Sequence, residues 1–446
     1  MNNNISDEPK IHVGILLEQP QIEFQLHNAY RLNSRKKIET GKYIAVFKEG
    51  KILFNGNLYD EIIFSTDENI KGQFTLNNVI IGVNFHWERK EDQVFLGSLK
   101  IKVENNALTA INLLHLESYL ASVISSEMSA TSSLELLKAH AVISRSWLMA
   151  QIDKNKKIDT EQYQTHFEND EATIRWYDRE DHLNFDVCAD DHCQRYQGIT
   201  RQTTETVANV ANLTRGEILM YDDEICDARF SKCCGGMMET FENVWEPVVH
   251  PYLQGKLDSK SENMVAPNLT NETEAETWIR SSPKAFCNTN NKEVLKQVLN
   301  DYDQETADFF RWKVEYSQLE TADLIKEKSG IDFGEIIDLL PLERGTSGRL
   351  TKLKIIGTKR TMIIGKELEI RRTLSRTHLY SSAFVVDKED ISSNGIPQKL
   401  ILTGCGWGHG VGLCQIGAAT MAEKGYGYKE ILNHYFPGSA LEKYYE

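Results

Sequence analysis

From Ile11 to Ile111 the apolar residues come in short runs with partial alternation. KYIAVFKEGKILF, NVIIGVNF, VFLGSLKIKVENN and ALTAINLL are rich in β-branched and aromatic residues and are punctuated by Gly and Asn turns. That is the pattern of strands with one buried face, and it predicts a β-rich part over 1–105. At Leu116 the period changes. Leu116, Leu120, Val123, Ile124 and Met128 share one face of a predicted helix. A serine-rich break follows. A second helix then opens on a Ser132…Glu135 capping box and carries the stripe Leu134, Leu137, Ala141 and Leu148. Glu127, seven residues after Leu120, is predicted to point to the apolar face. Burial disfavours a carboxylate and raises its pKa, as a general acid near neutral pH requires. Arg145 lies near the second stripe, where it can stand opposite Glu127. The plainer alternative is a buried ion pair that only fixes helix packing.

Residues 152–182 are polar and weakly periodic, and are predicted to form a long surface loop or an insertion between the helices and the site. The segment DHLNFDVCADDHCQRYQG follows. Its His182-x5-Cys188-x4-Cys193 spacing suits a soft-ligand zinc site, with the fourth position left to His192, a carboxylate or water. The alternative is a loop with two thiols and two surface histidines. TTETVANVANL predicts a helix, and GEILMYDDEICDARF a hairpin turning at Asp222–Asp223. In SKCCGGMMETFENVW the pair Gly235–Gly236 marks a sharp bend or a close ligand approach. Residues 256–335 read as a helical insertion with one strand, WKVEYS. From Leu339 to Asp387 strands return, among them TMIIGKELEIRR. A Gly-rich loop, Gly404 to Gly412, contains His409 and opens into a helix from Gln415, with another from Tyr428. No Lys-Ser/Thr follows this loop, which argues against a nucleotide site. The fold class is α+β: β-rich core lobes around a two-helix segment, with a helical insertion. The partition is 1–105, 106–255, 256–335 and 336–446.

Composition narrows the partners. The 446 residues carry a net charge of −15, which argues against nucleic acid or an anionic membrane surface. Eight cysteines are too few for a disulfide scaffold in a chain of this length. The N-terminal stretch lacks a basic n-region, and no apolar run is long enough for a transmembrane segment. The chain as written is expected to be cytoplasmic unless a leader is missing.

Four stretches, taken in order, resemble the SpoIID/LytB family of bacterial peptidoglycan-acting proteins. They are YLASVISSEMSATSSLELLKAHAVISRSW, DVCADDHCQRYQG, TRGEILMYDDEICDARFSKCCGGMMETFENVW and GWGHGVGLCQIGAATMAEKGYGYKEILNHYF; SGRL and LYSSAF also fit. Ser129, Met238 and Cys414 depart from the family pattern, where Pro, Thr and Ser are usual. The resemblance implies a lytic transglycosylase cleaving MurNAc–GlcNAc bonds of glycan strands, with Glu127 as its single acid and base. It implies substrate contacts from Arg145, His192, Gln194, Ser231, Gly235, Gly236, His409 and Gln415. It also strengthens zinc at His182, Cys188 and Cys193, and favours the cell envelope on substrate grounds.

Two other readings compete. One is a non-catalytic peptidoglycan binder that modulates a cell-wall amidase. The other is a zinc-dependent hydrolase centred on His182, Cys188 and Cys193.

Overall fold

The computed structural model describes residues 7–67, 71–82, 89–129, 132–156, 165–177, 182, 184–190, 193–200, 205–260, 265–298, 308–377 and 379–446. The fold is α+β and rich in strands. The chain divides into two compact units, one of Met1–Lys156, Asp181–Leu219 and Leu441–Glu446, the other of Lys157–Glu180 and Met220–Ala440. No helix among the described residues is long and apolar enough to cross a membrane.

Among the described residues, two large sheets lie in the first unit. One has the strand order Val187–Cys188, Lys10–Gln19, Ala107–His115, Ser98–Glu104, Glu61–Ser65, Tyr30–Leu32, Lys36–Ile38. The other runs Arg89–Leu96, Gln73–Ile81, Gln21–Leu26, Gly41–Lys48, Lys51–Phe54, Asn57–Tyr59. Alternation does what the sequence predicts. In Gln21–Leu26, Ile22, Phe24 and Leu26 are buried while Gln21 and Glu23 are exposed. Phe24 and Phe54 of one sheet meet Phe64 of the other, with ring centroids 5.1 and 5.3 Å apart. Apolar faces thus close the core between the sheets.

Three helices complete this unit: α1 (Leu116–Glu127), α2 (Leu134–Lys156) and α3 (Glu205–Leu213). The predicted stripe of α1 is buried, as are Leu137, Ala141 and Leu148 of α2; Leu134 is instead 43% exposed. Ser132 Oγ donates to the Ser129 carbonyl and Leu137 N–H to that of Ser133, so the chain enters α2 one residue after the expected cap.

The second unit has a five-stranded sheet ordered His166–Glu168, Ala172–Arg175, Thr361–Gly365, Leu350–Gly357, Ile336–Arg344. A three-stranded sheet is ordered Arg311–Ser317, Pro397–Cys405, Phe384–Ile391. Six helices accompany them: α4 (Glu272–Arg280), α5 (Lys292–Val298), α6 (Gln318–Ser329), α7 (Glu367–Thr373), α8 (Gln415–Glu423) and α9 (Tyr428–Tyr435). The core includes Trp312, Phe333, Leu353, Ile355, Ile370 and Phe384.

Two expectations are corrected here. The 152–182 stretch is not simply a loop: α2 continues to Lys156, and Ala172–Ile174 pairs in parallel with Ile363–Gly365. TMIIGKELEIRR is a strand only as far as Gly365. Beyond it acidic Glu367 and Glu369 begin α7 and basic Arg371 and Arg372 end it, the charge order that favours a helix dipole. WKVEYS is a strand as expected. It pairs with Pro397–Cys405, so the 256–335 stretch supplies part of a sheet as well as helices.

Arg145 is also placed differently from the sequence expectation. It is fully buried and its partner is Glu117, not Glu127. Arg145 Nε and Nη2 donate to the two Glu117 oxygens at 3.0 and 2.8 Å. Nη1 donates to the Glu217 carbonyl at 2.9 Å. Gly216 N–H and the Tyr445 hydroxyl both donate to Glu117 Oε1. The site therefore joins α1, α2, the turn after α3 and the C-terminal residues. Removing one member of such a buried pair strands the other charge, at a cost of about 3–5 kcal/mol. Arg145→Ala is expected to lower the unfolding free energy by about that amount in urea denaturation. A change near zero would mean that the pair does not hold this unit together.

Candidate functional site

Glu127 is the last residue of α1. Most of its predecessors on the helix are buried, but Glu127 itself is only half-buried, so the expected core-facing carboxylate lies at the rim. The segment 193–198 passes close by, and Arg195 N–H donates to Glu127 Oε1 at 3.2 Å. Alternate residues of that segment anchor it inward. Gln194 is buried; it accepts from the Tyr119 hydroxyl and donates to the Ser144 carbonyl, each at 3.3 Å. Tyr196 stacks on Tyr119 and donates to Asn112 at 2.6 Å. Gln194 thus ties the segment to α1 and α2 from within and presents no side chain to a ligand. His192 lies outside the described residues.

Cys188 sits in a short strand paired with Val13–Gly14. His182, Cys188 and Cys193 converge, with their ligand atoms all within 4.8 Å of one another. Cys193 Sγ and His182 Nε2 are 3.6 Å apart. Zn–S and Zn–N bonds of about 2.3 and 2.0 Å in a tetrahedron require separations of this size, so the trio fits zinc. None of the eight cysteines forms a disulfide.

The second unit holds the other predicted residues. Ser231 begins the approach to Gly235 and Gly236, whose φ angles are 79° and 100°. All three are buried. Gly236 has Trp278 and Phe310 against the place a Cβ would take, and Gly235 faces Cys405 and Gly406. Gln415, the first residue of α8, is 2% exposed. These residues shape the interior of the unit and do not line a surface wall. The family resemblance placed them at the substrate; here the close approach at Gly235 and Gly236 is to protein.

What the sequence reading did not single out is Arg349, 1% exposed, within SGRL. Its Nε and Nη2 donate to the Gly408 carbonyl at 3.1 and 2.9 Å, and Nη1 to that of Cys234 at 3.2 Å. Gly410 is needed for this, since a Cβ there would lie 2.5 Å from Nη1. Nη1 also donates to Ser347 Oγ at 2.9 Å, and that hydroxyl donates to buried Glu239 at 2.6 Å. Thr346 and Asn243 complete the Glu239 shell. The only sequence sign of this network was the SGRL fit.

His409 is half-buried in the same loop. Its Nδ1 accepts from Val411 N–H at 3.1 Å, and its ring meets Trp245 edge-on at 5.1 Å. Arg229 covers the other ring, 4.3 Å from the Trp245 centroid. Desolvation, then the charges of Arg229, Arg349 and Arg371, hold the imidazole pKa well below its ordinary value. The neutral ring caps the loop's own backbone.

Residues 104–221 match the family model described as Stage II sporulation protein, SpoIID. The chain carries a SpoIID-family domain. Residues 239–412 match a second family, described only as a domain of unknown function, DUF8618. An uncharacterized protein of Brachyspira hyodysenteriae is 28% identical over 401 residues, covering 90% of this chain and 78% of that protein. Stage II sporulation protein D of Bacillus subtilis is 23% identical over 354 residues, covering 77% and 79%. The amidase enhancer of the same organism is 26% identical over 250 residues; 52% of this chain aligns with 32% of that protein.

Glu127, Arg145, His182, Cys188, Cys193 and Gln194 all fall within the SpoIID match. His409 and Arg349 fall within the second match, while Ser231, Gly235, Gly236 and Gln415 lie outside both. The depressed pKa of His409 affects stability. An unfolded chain takes up a proton near the ordinary value of 6.5, and the folded chain does so only at lower pH. The His409 contribution to stability is therefore complete above the unfolded value and is lost as pH falls towards the folded one. In an NMR titration the His409 ring is expected to stay neutral through pH 6.5, unlike an exposed histidine. Titration at the ordinary value would contradict the desolvated placement.

Proposed function

We propose that this SpoIID-family chain acts on bacterial peptidoglycan as a lytic transglycosylase, with Glu127 as its single acid and base. The observation that carries the reading is the placement of Glu127. It ends α1 within the SpoIID match, half-buried, with Oε1 oriented by Arg195 N–H.

The chemistry balances with one carboxyl group. Glu127 gives its proton to the glycosidic oxygen as the MurNAc C1–O bond breaks through an oxocarbenium-like state. The resulting carboxylate takes the proton of the MurNAc C6 hydroxyl as the C6 oxygen bonds to C1. A 1,6-anhydro ring forms, no water is consumed, and Glu127 ends protonated as it began. Arg145 is a positioning residue: it fixes the inner end of the helix that carries the acid. His182, Cys188 and Cys193 would hold a zinc ion that orders the segment supplying Arg195 N–H; zinc lends no proton transfer of its own in this scheme. The cell envelope is the compartment that contains such a substrate.

The similarity to the amidase enhancer favours a second reading, a glycan-binding modulator of a cell-wall amidase. One experiment separates them. Glycan strands freed of stem peptides are digested and the product ends weighed. The wild type is expected to yield anhydro ends, and Glu127→Gln to lose about 10²–10⁴-fold in rate, the usual worth of general acid–base catalysis. Cleavage by Glu127→Gln at the wild-type rate would overturn the mechanism. Binding without cleavage by either protein would establish the modulator.

A further inference from the structure

The second unit contains a cluster that the proposed reaction does not use. Cys234, Asp258, Cys287 and Cys414 are all buried, and their ligand atoms lie within 4.8 Å of one another. They come from four separate segments: the stretch before Gly235, the connection leading to α4, the turn between α4 and α5, and the residue that caps α8. Cys234 Sγ and Cys287 Sγ are 3.6 Å apart. Two sulfurs on one tetrahedral zinc, each bonded at about 2.3 Å, stand about 3.8 Å apart.

Asp258 is the telling member. It is fully buried, and among the described residues no Lys or Arg makes an ion pair with it. Its oxygens accept from the Tyr435 hydroxyl at 2.8 Å and from Cys287 N–H at 2.9 Å. His434 Nε2 is 3.5 Å from Oδ1 and has no hydrogen-bond partner there. A buried carboxylate is costly without a cation, and this one faces three thiol groups. Outer donors of this kind are what orient metal ligands. Cys234 N–H also donates to Cys414 Sγ at 3.3 Å, an interaction suited to a thiolate.

The helix that carries Cys414 is shaped to reach this point. A Cβ at Gly417 would lie 2.2 Å from the Tyr435 oxygen and 2.7 Å from Asp258 Oδ2. Only glycine lets α8 pack this closely over the carboxylate.

We infer that Cys234, Asp258, Cys287 and Cys414 form a second, mononuclear site for a soft divalent metal, zinc by preference, that clamps the α4–α5 connection to the head of α8. The donor atoms are too close together to enclose a multi-iron core. Three sulfurs and one oxygen within 4.8 Å of one another select zinc over magnesium or calcium. Binding displaces whatever thiol protons remain to solvent and changes no oxidation state.

The test uses the full chain purified under reducing conditions. In the Cys188→Ser/Cys193→Ser variant, which removes the loop thiols, elemental analysis is expected to retain about one zinc per chain. Adding Cys287→Ser is expected to abolish it and to lower the midpoint of thermal unfolding. Metal-free but cooperatively folded Cys188→Ser/Cys193→Ser protein would overturn the inference. Should that variant not fold, cobalt-substituted wild type decides. Sulfur-to-cobalt charge-transfer intensity beyond that of a two-thiolate centre supports the second site, and intensity limited to two thiolates excludes it. A Cys234–Cys287 disulfide found by mass mapping of the native protein would also exclude it.

Discussion

A guanidinium taken out of water must be met by acceptors that the fold supplies, and the first unit is organised around meeting one. Arg145 finds its charge partner in Glu117, and Glu117 in turn collects Gly216 N–H and the Tyr445 hydroxyl. Four segments distant in sequence converge because none of these groups can be left unpaired in the interior. Glu117 and Glu127 stand ten residues apart on one helix, about 15 Å at the α-helical rise. The helix thus has two ends with different work. The inner carboxylate is bonded through both oxygens to a buried guanidinium. The outer one is only half-buried and accepts from Arg195 N–H.

The second unit solves the same problem differently. Arg349 is met chiefly by neutral carbonyls of Gly408, Cys233 and Cys234, and its charge reaches Glu239 only through the Ser347 hydroxyl. Carbonyls have to approach the guanidinium closely, and this requires glycine at position 410. The Gly-rich stretch that looks like a ligand loop is, in its interior part, a cage for an arginine. The same positive charge, with Arg229 and Arg371 and on top of desolvation, keeps His409 neutral. Binding-loop appearance and arginine-cage function share one sequence signature because both demand backbone without Cβ atoms.

Local regularities were legible in the sequence. The strand alternation of Gln21–Leu26, the α1 stripe, the Asp222–Asp223 turn and the helix from Gln415 all follow from neighbours within a few residues. The α7 segment was misread because Ile370 and its flanking charges fit a strand and a helix about equally over so short a span. That Arg145 meets Glu117 rather than standing opposite Glu127 was not legible for a related reason. Helical periodicity says which face a residue occupies but not which neighbouring turn it meets, and Glu117 lies on the same helix. Motif resemblance pointed to Gly235, Gly236 and Gln415 without distinguishing residues that touch a ligand from those that let the surrounding fold close. Burial makes that distinction, and it depends on Trp278, Phe310 and Cys405, which no local pattern links to them.

The two soft-ligand clusters show where this boundary falls. His182, Cys188 and Cys193 lie within one short segment, and their spacing alone proposed zinc. Cys234, Asp258, Cys287 and Cys414 span 180 residues and meet only in the folded unit. No spacing rule reaches that far. One trace was nevertheless present in the sequence: Cys414 stands where the family block has Ser. A serine hydroxyl would serve the same cap position at the head of α8, but it is a poor partner for a soft metal. In the proposed centre the exchange of oxygen for sulfur becomes intelligible as ligand chemistry, together with the adjacent cysteine pair and the glycine that brings the helix down onto Asp258.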